Sequence, residues 1–135
     1  MSIHAVPGSA SRLAGTGGTG EIMRLVILES PYSGNIWQRF LNRRYARKCM
    51  KDCLLRNESP IASHLLYTQP GVLRDHDPED RKLGIAAGHA WTALADAVVV
   101  YTDRGISRGM EEGIKSAYKY QIPVEHRTLG DHDND

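Results

Sequence analysis

From Arg24 onward, short apolar runs alternate with longer stretches of helical periodicity, a pattern that predicts βαβ units around a parallel sheet. Arg24 to Leu28 predicts the first strand. A helix follows from about Ile36 to Arg56, with Ile36, Phe40, Cys49 and Cys53 near one stripe and Arg43, Arg44, Arg47 and Lys48 on the others. Pro60 to Ala62 predicts a short second strand, and a long connection runs from Ser63 to His76 with Gln69-Pro70-Gly71 as its turn. Asp77-Pro78-Glu79-Asp80 supplies an N-cap, a proline at the first helical position and an acidic first turn, so a helix is expected from there to about Leu94. The valine-rich run Ala97 to Tyr101 predicts a central third strand. A helix from about Met110 to Tyr120 and a last strand from Ile122 to Arg127 complete the pattern. Right-handed crossovers make the expected fold an α/β three-layer sandwich with a parallel, flavodoxin-like (doubly wound) sheet of four to five strands.

The chain has 135 residues, one domain's worth, and 41% hydrophobic content is enough for a single modest core. Residues 1–22 are rich in Gly, Ser and Thr without periodicity and are expected to form a flexible arm; 23–129 form the folded domain, and 130–135 a polar tail. Seventeen basic against sixteen acidic residues leave a net charge of +1, which points away from nucleic acid as a partner. No run reaches the length of a membrane span and no signal peptide opens the chain, so a cytoplasmic protein without membrane contact is expected. Cys49 and Cys53 sit one helical turn apart with no His or further Cys to complete a metal site, and read as buried thiols.

In open parallel sheets, ligands bind beyond the carboxyl ends of the strands, which selects the loops beginning at Glu29, Ser63 and Thr102. The first, Glu29-Ser30-Pro31-Tyr32-Ser33-Gly34, is a small-residue strand-to-helix turn: either its backbone N–H groups face an anion or polar ligand, or it is simply a tight turn with Tyr32 on the surface. In the third, Ser107, Arg108 and Gly109 open a helix whose first turn holds Glu111 and Glu112. Phosphate binding and plain N-capping by Ser107 both account for these residues.

Several of these features occur together in one known group. A first strand leading into Pro31-Tyr32, Ile61-Ala62-Ser63-His64 at the second strand, the Ala95-Asp96-Ala97-Val98-Val99-Val100 segment and Ser107-Arg108-Gly109-Met110-Glu111 resemble the nucleoside 2-deoxyribosyltransferase superfamily, which includes deoxynucleoside monophosphate N-glycosidases. The chain also resembles a bacterial and phage branch marked by Glu29-Ser30-Pro31-Tyr32, Ser63-His64-Leu65-Leu66-Tyr67-Thr68-Gln69-Pro70-Gly71 and Gly105-Ile106-Ser107-Arg108-Gly109-Met110. The resemblance implies that Glu111 is the nucleophile at the sugar's anomeric carbon, with Glu112 the alternative if the helix register turns it inward. It implies that Tyr32 orients that carboxylate, that Asp96 or Asp103 meets the departing base, and that Ser107 and neighbouring backbone bind a 5'-phosphate. Ser30, Pro31, Ser33, Gly34, His64, Arg108 and Gly109 complete the expected substrate-binding set.

Other candidates read as structural. His89 is expected in packing or at the surface, Tyr118 and Tyr120 as packing beside the last strand, and the arginines of the first helix as a solvated face or subunit contact. Asp75, His76 and Asp77 lack convergent ligand spacing, so neither metal nor cofactor is expected. The expected function is binding of a small-molecule nucleoside or nucleotide, with cleavage or transfer at the N-glycosidic bond as one reading. A non-catalytic protein that senses or sequesters a signalling nucleotide is the alternative, and a homo-oligomer, dimer or higher, is expected in either case.

Overall fold

A computed structural model describes residues 20–130. The elements are β1 (Arg24–Glu29), α1 (Ile36–Leu55), β2 (Glu58–Ile61), α2 (Ser63–Leu66), α3 (Pro78–Thr92), β3 (Ala97–Tyr101), α4 (Arg108–Lys119) and β4 (Val124–Arg127). The expected arm and tail lie outside the described residues, apart from 20–22 and 130.

The four strands pair in the order β2-β1-β3-β4, all parallel, in a flavodoxin-like arrangement with the strand order reversing between β1 and β3. β3 is central because it is apolar on both sides: every residue of Ala-Val-Val-Val-Tyr is fully buried. β2 takes an edge, where Pro60 deprives the ladder of a donor at little cost. The period of two along β1 divides the core. Val26 and Leu28 join Tyr45, Cys49 and Cys53 of α1, whereas Ile27 joins Val98, Val100, Met110 and Ala117 on the face covered by α4.

β2 begins at Glu58, two residues before the expected start at Pro60. Glu58 is buried, and Arg127 of β4 holds its carboxylate through hydrogen bonds of 2.7 and 2.6 Å, while Arg24 donates to it at 3.1 Å. A charge reads as a strand boundary in sequence, but a bidentate guanidinium makes it a strand residue. The long connection after β2 contains the four-residue α2, which the turn signal downstream concealed.

Ile36 and Phe40 do not share the buried stripe of the cysteines; they are 72% and 50% exposed. The reason is length. A helix of 20 residues runs about 30 Å, and strands of four to six residues reach about 13–20 Å, so the first turns of α1 project past the sheet. Tyr118 and Tyr120 are exposed rather than packed, because the inward stripe of α4 is Met110, Ile114 and Ala117.

Candidate functional site

Because Glu29 follows Ile27 by two residues, its side chain leaves the carboxyl end of β1 on the α4 side of the sheet. It meets α4 at Gly113, where a Cβ would overlap the Glu29 carboxyl group. Glycine at 113 is therefore what lets a carboxyl group lie there. Burial pushes the Glu29 carboxyl up to about 8, so it is protonated at neutral pH.

Around it lies a cleft of about 170 Å³, open on one side. The β1–α1 loop contributes Ser30, Tyr32 and Ser33; the turn after β2 contributes Ser63 and His64; α4 contributes Gly109, Glu112 and Gly113, with its N-cap Ser107. The remaining wall is the connection carrying Tyr67, Thr68, Leu73 and Asp75 together with α3, whose Gly84, Gly88 and Thr92 recur every fourth residue and keep the helix backbone close to the cavity, with His89 and Arg81 beside them. Gly88 approaches Ser63 so closely that a Cβ would lie 3.0 Å from its hydroxyl oxygen. The enclosed volume is below the ~300 Å³ at which drug-sized ligands are engulfed, so it suits a single ring, with the rest of a ligand lying toward solvent.

Ser30, buried, has its hydroxyl oxygen 2.9 Å from Nε2 of His64. Burial pulls the imidazole down to about 4, which keeps it neutral at pH 7, and the ring of Tyr32 stands edge-on to it with centroids 6.0 Å apart. Ser107 caps α4 by accepting a hydrogen bond from Met110 N at 3.3 Å, while its own N–H donates to the Met110 sulfur.

Of the residues expected at a site, Ser30, Tyr32, Ser33, His64, Ser107 and Gly109 line this cleft. Pro31 and Gly34, in the β1–α1 loop, and Arg108, the first residue of α4, stand nearby without lining it. Gly34 takes a φ of +136°, and a Cβ there would collide with Gln38, whose side chain closes the capping box with Asn35 at the start of α1. Glu111 does not face the cleft. Both glutamates are exposed on α4, but the 100° step from Glu111 puts Glu112 at the rim of the cleft, where its carboxylate lies 3.5 Å from Lys115 Nζ.

Asp96 and Asp103 are not brought to the cleft either. Asp96 precedes β3 at the opposite end of the sheet, where its carboxylate accepts the Leu25 N–H at 2.7 Å and ties the starts of β1 and β3 together. Asp103 follows β3 at the correct end but turns toward α1, accepting hydrogen bonds from the Tyr45 hydroxyl at 2.5 Å and from the amides of Leu129 and Gly130. Burial raises its carboxyl, but those donors outweigh burial and hold it below the usual carboxylate range.

Sequence reasoning passed over Glu29, Glu112 as first choice, Arg81 and His89. Glu29 carried a usable signal: a carboxylate ending an apolar strand, with the parity of Ile27. His89 was legible only through the small-residue stripe that turns α3 toward the sheet. Among the described residues, no cluster of His, Cys, Asp or Glu is arranged to hold a metal ion, and no helix is long and apolar enough to cross a membrane.

Residues 24–127, the whole span from β1 to β4, match the family described as a domain of unknown function, DUF7768. The chain belongs to that family. No curated protein matches the sequence. The DUF7768 match covers every element that builds the cleft, from Glu29 at the end of β1 to Gly113 in α4.

Proposed function

We propose that the cleft binds a nucleoside or nucleotide and breaks or exchanges its N-glycosidic bond, with Glu29 as the acid and Glu112 as the carboxylate facing the sugar. The observation that carries this reading is the Glu29 carboxyl, half-buried in a polar cleft against Gly113 at the point where strand order reverses, its pKa pushed up to about 8 by desolvation. Two carboxyl groups line one cleft in unlike surroundings, Glu29 desolvated against Gly113 and Glu112 at the exposed rim beside Lys115, and such a difference supports separate acid and nucleophile roles. The Glu112 carboxylate attacks the anomeric carbon and forms a glycosyl ester. The bond to the base breaks, its electron pair stays on the base nitrogen, and Glu29 gives the base its proton. Water or a second base then attacks the ester, frees Glu112 and returns a proton to Glu29. Ser30 and the neutral His64 offer a hydroxyl and a ring nitrogen to sugar hydroxyls, and the N-terminus of α4 at Ser107 and Gly109 faces a 5'-phosphate when one is present.

The test is incubation with a panel of deoxynucleosides and their 5'-monophosphates, with free base resolved by chromatography. Base release that is lost in Glu29→Gln and Glu112→Gln and kept in Glu111→Gln supports the proposal. Stabilisation by a nucleotide with no base released at any pH overturns catalysis and leaves the sensing or sequestering reading.

A further inference from the structure

α3 turns most of its large apolar side chains away from the sheet. Its cleft side carries Asp80, Arg81, Ile85, His89 and the small residues, whereas its outward side carries Leu83, 62% exposed, Ala86, Ala90 and Trp91, followed by Leu94, 61% exposed, in the turn beyond its end. Residues 83–95 contain no Asp, Glu, Lys or Arg. This outward stripe is symmetric about its midpoint between Gly88 and His89: Ala87 mirrors Ala90, Ala86 mirrors Trp91, and Leu83 mirrors Leu94.

We infer that this face binds a second copy of the chain, α3 against α3, antiparallel about a two-fold axis through that midpoint. An isologous contact requires each residue to meet its mirror position on the partner, which this spacing provides. Alanines at the centre let two helix axes approach to the ~8 Å end of the packing range, with a leucine closing each end. Another exposed apolar group, Ile36, Trp37, Phe40 and Leu41 on α1, is interleaved with Arg39, Arg43 and Arg44, so pairing it with itself sets like charges against each other. The uncharged α3 stripe carries no such repulsion. The contact also fixes the cleft, since the outward side of α3 is the back of the cleft wall.

The inference does not depend on what the cleft does, and its test is independent of turnover. Sedimentation and light scattering of the full chain are expected to give a dimer. Leu83→Glu with Leu94→Glu, both at exposed positions, is expected to weaken it at least ~100-fold by placing unpaired carboxylates in the contact, with the circular dichroism spectrum unchanged and the concentration dependence of the parent's Tm lost. A chain carrying Ala87→Cys mixed with one carrying Ala90→Cys is expected to form a mixed disulfide dimer several times faster than either chain alone, and these mild changes leave the fold intact. A monomer at every concentration overturns the inference. So does a dimer abolished by Trp37→Glu but indifferent to the α3 changes, or cross-linking of each cysteine chain only with itself.

Discussion

Glu29 and His64 sit in one cleft with opposite protonation problems, and both leave a mark on stability. The folded state holds a proton on Glu29 from its ordinary 4.5 up to about 8, so stability falls as pH rises through that window. The folded state refuses a proton on His64 from 6.5 down to about 4, so stability falls as pH drops through that one. They oppose each other between 4.5 and 6.5, and above 6.5 Glu29 acts alone. Chemical denaturation is therefore expected to show Glu29→Gln gaining on the parent as pH climbs from 6.5 to 8, with the gap constant beyond; a pH-independent gap would refute a protonated Glu29. Turnover that needs this proton is expected to decline above about pH 8. The same carboxyl explains Gly113. Gly113→Ala is expected to cost about 1–3 kcal/mol by overpacking, and Glu29→Ala in the same chain is expected to recover most of it, a coupling that a double-mutant cycle in urea measures.

At the scale of the elements, α4 contributes its first turn to the cleft and its stripe to the core, and the two are separable. Ser107→Ala removes the cap and is expected to cost about 1 kcal/mol in urea unfolding. Because Ser107 lines the cleft and Arg108 does not, titration calorimetry is expected to show Ser107→Ala weakening a 5'-monophosphate more than Arg108→Ala does. Equal losses would mean that the guanidinium reaches the ligand. α3 follows the opposite logic. Its Gly84, Gly88 and Thr92 open space beside the sheet, so Gly88→Ala, whose methyl group meets Ser63, is expected to narrow the cleft and weaken ligand binding while raising intrinsic helix propensity.

Across the whole molecule, the longest-range tie is the charged group on the α1 side of the sheet. Arg127 bridges Glu58 and Glu125, and Arg24 reaches the same two carboxylates, so β1, β2 and β4 are joined by side chains as well as by the ladder. The side chains of Glu58 and Arg127 are 3% and 8% exposed, which makes loss of one partner costly. Arg127→Met is expected to lose about 1–3 kcal/mol in denaturant unfolding, since Glu58 loses its bidentate partner and keeps only Arg24, and Arg127→Met with Glu58→Leu to lose less. A small effect of Arg127→Met alone would mean that Arg24 suffices to hold the Glu58 carboxylate.

The apolar runs of β1 and β3 and the Asp77-Pro78 start of α3 fixed the parallel sheet, because strand burial and helix capping are local and each residue type signals its own state. The loops at the carboxyl ends of the strands followed from that topology, and so did Ser30, Tyr32, His64 and Ser107 as cleft residues. What sequence did not determine is which of two adjacent side chains turns inward. Glu111 and Glu112 differ by one 100° step on α4, and only the docking of Met110, Ile114 and Ala117 on the sheet decides between them. Asp96 and Asp103 were equally open, since each is an acid beside β3 until backbone and side-chain donors from β1, α1 and the chain after β4 claim them. Glu29 became a protonated acid only because Gly113, 84 positions away, left room for its carboxyl against α4, where packing desolvates it. Desolvation is a property of the packed cleft and has no counterpart in the order of the residues.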